Sequence, residues 1–181
     1  MNYYVFQNNW AFDCIREDMV PSVYHEIAFN LGDSFDPLPP IELDLKKNKK
    51  LPDAIPNHQL YLIFNRQLID LIKSYDVDYL EEHEVIVRQD GKELCEVVYK
   101  NINVLKLVDV IDREQSELTV DEDGEIDFLN KLVLKTEFEE LPVFRIEGFE
   151  ILVLFREDLA QDIINRYMTG FEFYPANGFR V

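Results

Sequence analysis

Leu60-Tyr61-Leu62-Ile63-Phe64-Asn65-Arg66-Gln67-Leu68, continuing through Ile69 to Tyr75 and Asp78-Tyr79, is matched later by Ile151-Leu152-Val153-Leu154-Phe155-Arg156-Glu157-Asp158-Leu159, then Ala160 to Tyr167 and Gly170-Phe171. The offset is 91 residues up to the helix interior and 92 after it. Each stretch is a short apolar run, a polar break, an amphipathic helix and an acidic-aromatic close. Leu60–Phe64 is short enough for a buried strand. Asn65 is placed to cap a helix, because its side-chain oxygen can accept from the first free backbone amides. Leu68, Ile69, Leu71, Ile72 and Tyr75 fall on one helical face, which should fade by Asp76. In the second stretch Leu159, Ala160, Ile163, Ile164 and Tyr167 make the apolar stripe. Glu157 and Asp158 in the first turn and Arg166 in the last suit the helix dipole, and Gly170 is placed as the left-handed residue that ends the helix. A unit written twice predicts a scaffold with a presented surface rather than a single catalytic cleft.

Outward from these units the pattern is mostly extended. Tyr3–Gln7 reads as an opening strand. Met19 to Asn30 is ambiguous, with Pro21 suited to a helix start. Leu31 to Pro56 is broken by Pro37, Pro39, Pro40 and Pro52, and reads as a connection with a short strand at Ile41–Leu45. Val85 and Val87, then Leu94, Val97 and Tyr99, alternate around Asp90-Gly91, a hairpin signal. Cys95 on that alternating stretch reads as core. Ile102–Ile111 is nearly all apolar and reads as one central strand. Leu118–Val120 and Glu125–Phe128 flank Asp123-Gly124 as a second hairpin. Leu132–Thr136, Phe144–Ile146 and Phe171–Tyr174 read as further strands, the last stopped by Pro175. The expected class is α+β: a strand-rich mixed sheet with a few amphipathic helices and a repeated strand-helix-strand unit. One compact domain is expected, in which residues 1–56 form an extended N-terminal segment with short strands and 57–181 hold the two related units, 60–84 and 151–181.

The 181 residues, 47% of them apolar with 13 Phe and 9 Tyr, can build a full core; a domain near this size hides roughly 70% of its unfolded surface. No stretch approaches the roughly 20 apolar residues of a membrane helix. Met1 to Asn9 has neither a basic start nor a long apolar segment, so a secretory signal is not read there. With Cys14 and Cys95 as reduced thiols, the location expected is cytoplasmic. Thirty-six acidic groups oppose 18 basic ones, a net charge of −18. Between Asp76 and Asp127 there are 17 acidic and 5 basic residues, so −12 of that charge lies mid-chain. Such a surface repels nucleic acid and anionic lipid and speeds encounter with a basic partner. Acidity that serves only solubility is the competing reading. Lys46-Lys47-Asn48-Lys49-Lys50 reads as a solvated turn.

Catalytic signals are missing. His25, His58 and His83 do not pair at metal-ligand spacing, and His83 among Glu81, Glu82 and Glu84 suits a solvated acidic turn. No nucleophile elbow, phosphate loop or dinucleotide fingerprint occurs. Asp121-Glu122-Asp123-Gly124 fails as a calcium loop: counted from Asp121, Gly124 is fourth where the glycine should be sixth, and Leu132 is twelfth where a Glu is needed. Neither a catalytic residue, a metal nor a cofactor is expected. Arg145, following Phe144 in an apolar strand, either anchors a buried carboxylate or faces solvent.

Four segments in order resemble a known family. They are Ile111-Asp112-Arg113-Glu114-Gln115-Ser116-Glu117, Pro142-Val143-Phe144-Arg145-Ile146-Glu147-Gly148, Phe155-Arg156-Glu157-Asp158-Leu159, and Met168-Thr169-Gly170-Phe171-Glu172-Phe173-Tyr174-Pro175. Over Leu60 to Pro175 the chain is similar to an immunity-protein family of bacterial polymorphic toxin systems. Asn65 and Arg156 stand where that family favours Ser. The resemblance implies a non-enzymatic inhibitor that binds the C-terminal domain of a cognate toxin; the charge reading adds that this partner has a basic surface. The binding residues expected are the acidic clusters Glu81, Glu82 and Glu84; Asp112, Glu114 and Glu117; and Asp121, Glu122 and Asp123. An acidic adaptor module, or a small enzyme of unrecognised type, is the alternative.

Overall fold

The computed structural model of the protein describes residues 2–12, 15–19, 40–46, 50–57 and 62–181, with the side chains of 15–19 excepted. In the N-terminal part the strands are β1 (Tyr3–Asn8), β2 (Ile15–Met19), β3 (Ile41–Leu45), β4 (Ala54–Ile55) and β5 (Leu62–Asn65). Helix α1 (Arg66–Lys73) follows, then β6 (Leu80–Gln89), β7 (Lys92–Glu93), β8 (Tyr99–Val104) and β9 (Leu107–Val108). The remainder is β10 (Glu117–Val120), β11 (Ile126–Lys131), β12 (Val143–Ile146), β13 (Phe149–Arg156), α2 (Glu157–Asn165) and β14 (Phe171–Pro175). The fold is α+β and strand-rich, with two α-helices among the described residues rather than several.

Two mixed sheets organise these elements. One runs β14-β1-β13-β12-β9; the other runs β2-β3-β6-β8-β5-β4, with β7 beside β6, and β10 and β11 pair separately. In the second sheet β5 and β6 both lie antiparallel to β8, which separates them. In the first, β13 and β14 both lie antiparallel to β1. The helix connecting each parallel pair packs onto a core shared by both sheets. Leu62, Phe64, Ile102 and Val104 from one sheet, Phe6, Val143, Val153 and Phe155 from the other, Leu68 and Ile72 from α1, and Leu159 and Ile163 from α2 are all buried in it. The Phe6 ring touches Phe64 at 5.5 Å across the seam, and Phe155 at 5.9 Å and Phe171 at 5.5 Å in its own sheet. Burying rings of this size is the largest apolar contribution available to the joint.

Asp53 ties the two halves together. Its carboxylate accepts from Asn65 Nδ2 at 2.8 Å and from the Thr169 amide at 2.8 Å, while the Ala54 amide donates to Thr169 O at 2.9 Å. Asn65 also caps α1 as read from the sequence, accepting from the Leu68 amide at 2.9 Å. Arg156 does not cap α2; its side chain binds Asp158, and the Glu157 amide is satisfied instead by Asn2 O at 3.1 Å.

Several expectations are corrected. Ile102–Ile111 is not one strand: β8 belongs to one sheet and β9 to the other, because the chain changes sheets at Leu105-Lys106. Leu132–Thr136 makes only an isolated bridge from Leu134 to Ile111. Its amides are spent on Phe179 O, Ser116 Oγ and Val110 O, which no single neighbouring strand could supply. Cys95 is exposed, since the hairpin at Asp90-Gly91 pairs only two residues before the return arm turns away. Ile164 and Tyr167 are 49% and 89% exposed, off the buried stripe of α2. Tyr167, not Gly170, is the left-handed residue that ends α2. The readings on Met19–Asn30, Cys14, His25, His58 and Lys47–Lys49 lie outside the described residues, except that the Met19 backbone ends β2.

Candidate functional site

Four segments wall a cleft of about 1020 Å³: the stretch from Asp109 through the turn after Ile111, the tip of the β10–β11 hairpin, Lys135, and the tip of the β12–β13 hairpin. Seven carboxylates line it, from Asp109, Asp112, Glu114, Asp123, Glu125, Glu147 and Glu150, against two cations, Arg113 and Lys135. Lys135 binds Asp109 at 2.5 Å, and Arg113 donates to Gly124 O at 2.9 Å. Glu150 accepts from the Gly148 amide at 2.7 Å. Among the described residues nothing donates to the carboxylates of Glu114, Asp123, Glu125 and Glu147. Seven carboxylates against two cations leave an excess of negative charge in one cleft, a standing attraction for a cation from outside.

The expected binding residues separate into groups. Asp112, Glu114 and Asp123 share the cleft. Asp112 also builds it: its carboxylate accepts from the side chain of Gln115 at 2.6 Å and from the amides of Glu114 and Gln115 at 3.1 Å each. Those bonds, the Gln115 side chain first, hold its carboxyl below the usual range. Asp121 performs the same task for the hairpin tip, accepting from the amides of Asp123 and Glu125. Glu122 is exposed on that tip, and Glu117 pairs with Arg180 at 3.3 Å and Lys131 at 3.9 Å.

Glu81, Glu82 and Glu84 lie elsewhere, on β6 of the other sheet. Each has a partner within the chain: Glu81 takes His83 and Asn103, Glu82 takes Lys73 and Arg66, and Glu84 takes Lys100. Partial burial pushes the Glu82 carboxyl up, but its bonds to Lys73 and Arg66 outweigh that and leave it lowered. Glu82 and Glu84 are therefore partly neutralised where they stand, while Glu81 is tied by the Asn103 side-chain amide.

Sequence reading missed Asp109, Glu125, Glu147 and Glu150. Glu147-Gly148 was visible as part of a motif, and a second acidic turn beside Asp123-Gly124 was the signal that could have found it. The motif residues themselves turn out to support the framework. Ser116 Oγ accepts from the Val133 amide at 2.9 Å, Thr169 holds Asp53, and Gly170 meets Ala54. Arg145, 3% exposed, donates to Val104 O at 3.2 Å and Glu150 O at 2.7 Å. Its partners are backbone carbonyls and not a buried carboxylate. Burial pushes its guanidinium down to about 10, so it stays cationic near neutrality.

Among the described residues no three His, Cys, Asp or Glu side chains converge as metal ligands, and no helix is long and apolar enough to cross a membrane. What the cleft offers chemically is recognition of positive charge. Compared with known proteins, the chain finds no match among curated sequences. A family model described as an immunity protein family, Imm11, matches residues 5–178, nearly the whole length.

Proposed function

The chain belongs to the Imm11 immunity protein family, and from that premise we propose that it is a non-enzymatic inhibitor of a polymorphic toxin system. It acts in the cytoplasm, where it binds the C-terminal domain of its cognate toxin. The observation that carries the proposal to a surface is the group of uncompensated carboxylates at Glu114, Asp123, Glu125 and Glu147 in one cleft. A toxin that acts on an anionic substrate needs basic residues at its working surface, and an acidic cleft can occupy them. Specific interfaces bury about 1,600 Å² in total, so the cleft supplies the charged part of a larger contact. Glu122 and Glu117 at the neighbouring hairpin extend the same field. Glu81, Glu82 and Glu84 contribute to the net charge that repels nucleic acid and anionic membranes, and act on the partner at longer range. The stretches 60–84 and 151–181 are taken as two related units of one domain, with residues 1–56 adding short strands to both sheets.

The test is growth of cells that express the C-terminal domain of the protein encoded immediately upstream, with and without this chain. The expected result is killing by the domain alone and restored growth when both are made. A harmless upstream domain, or killing that this chain leaves unrelieved, contradicts the proposal.

A further inference from the structure

Helix α2 ends in a complete Schellman cap. The Tyr167 amide donates to Ile164 O at 2.9 Å, and the Met168 amide to Ile163 O at 3.4 Å. This cap requires a left-handed residue at the position of Tyr167, a place that glycine usually fills. Tyr167 adopts it at φ 56°, although a side chain bearing a Cβ is disfavoured there. A strained aromatic is ordinarily held by packing of its ring, and this one is not. Tyr167 is 89% exposed, the most exposed large hydrophobic side chain among the described residues, and Ile164, one turn earlier, is 49% exposed. Nothing among those residues bonds its hydroxyl or stacks on its ring. The cap bonds hold the backbone, and glycine would serve them with less strain, so the exposed ring itself calls for an explanation.

Tyr167 lines a recess of about 640 Å³ with Asp53, Asp70, Leu71, Arg166 and Met168. The charges around it are committed, with one exception. Asp53 is held by Asn65 and Thr169, and Arg166 by Asp162 at 3.2 Å. The Asp70 side chain is 64% exposed and, among the described residues, pairs only with Arg66, at 3.8 Å. We propose that Tyr167 is an anchor for a protein partner, which inserts a lysine or arginine side chain between the tyrosine ring and the Asp70 carboxylate. A ring face attracts a cation, the carboxylate completes its neutralisation, and the net charge of −18 selects a basic partner over an acidic one. This inference rests on the toxin domain being that partner, and it adds a contact at the end of α2, separate from the acidic cleft.

The experiment titrates the purified upstream toxin domain against the wild type, Tyr167→Gly, Tyr167→Phe and Asp70→Asn, with thermal melts of each. Tyr167→Gly should weaken binding at least about tenfold with no fall in Tm, because glycine suits the cap. Tyr167→Phe should bind within about threefold of wild type, since the ring face remains. Asp70→Asn should weaken binding without a change in Tm. Equal affinity of Tyr167→Gly and wild type overturns the anchor while leaving the toxin reading intact, and equal affinity of Asp70→Asn removes the cation from it. A wild type that does not bind the domain at all removes the toxin reading first and this inference with it.

Discussion

Gly170→Ala should destabilise the protein by at least about 3 kcal/mol, through steric overlap together with backbone strain. A Cβ built at this position falls 1.8 Å from Ala54 O and 2.9 Å from Pro52 Cβ. The first of these is backbone and cannot rotate aside. Gly170 also has φ 102°, outside the region open to alanine. The contact lies on the seam: the Gly170 carbonyl accepts from the Asn9 amide at 3.1 Å, and the neighbouring Thr169 carbonyl accepts from Ala54. Relieving the clash means separating β4 from the start of β14, which opens the shared core. For a chain of this length the loss corresponds to about 6–12 °C in Tm. Urea denaturation measures it directly, and a loss below about 1 kcal/mol would show that the seam gives way without cost.

Arg145→Met should lose about 2–4 kcal/mol, two charged hydrogen bonds less the relieved cost of burying the guanidinium. The side chain is long enough to fill the volume, so the loss comes from hydrogen bonding rather than packing. Val104 O and Glu150 O would each lose a charged donor, and such bonds contribute roughly 1.5–3 kcal/mol apiece. The Arg145 amide also donates to Lys106 O at 2.9 Å, so this one residue pins the corner at which the chain leaves one sheet for the other. Arg145→Lys should rescue little, because a single ammonium lacks the planar fork that reaches two carbonyls in different directions. Equilibrium unfolding with an unchanged m-value checks the prediction. A methionine variant within about 0.5 kcal/mol of wild type would mean that these carbonyls find other donors.

Local signals were legible wherever a residue and its partner lie close in sequence. Asn65 caps a helix whose amides begin one residue later, and Asp90-Gly91 and Asp123-Gly124 make turns out of their own backbone. The sheet change between β8 and β9 was not legible. An uninterrupted apolar run looks the same whether one strand is buried on both faces or two strands serve different sheets. The residue that decides between these, Arg145, is some forty positions away. The ends of the helices show the same limit: Tyr167 fits the apolar spacing of α2, and only the cap geometry reveals that it points out of the core. For the site, Asp112, Glu114 and Asp123 could be flagged as part of the acidic middle, but the cleft gathers Glu147 and Glu150 from a distant hairpin. Glu84 looked like a free charge until the register set Lys100 opposite it on β8. Family motifs located the framework instead of the contact surface, since Asp112, Ser116, Arg145, Thr169 and Gly170 each hold the backbone in place.

The proposed function has carboxylates in the cleft drawing in a basic toxin surface. Its most direct test is the association rate of the toxin domain, measured across ionic strength with the wild type and with a variant carrying Glu114→Gln, Asp123→Asn, Glu125→Gln and Glu147→Gln. Among the described residues none of these side chains makes an internal bond, so folding should be unaffected. At low salt the wild type should associate about 10–100 times faster than the variant, and the two rates should converge as screening removes the field. Equal rates with the same salt dependence would contradict the claim and move the interface away from the cleft.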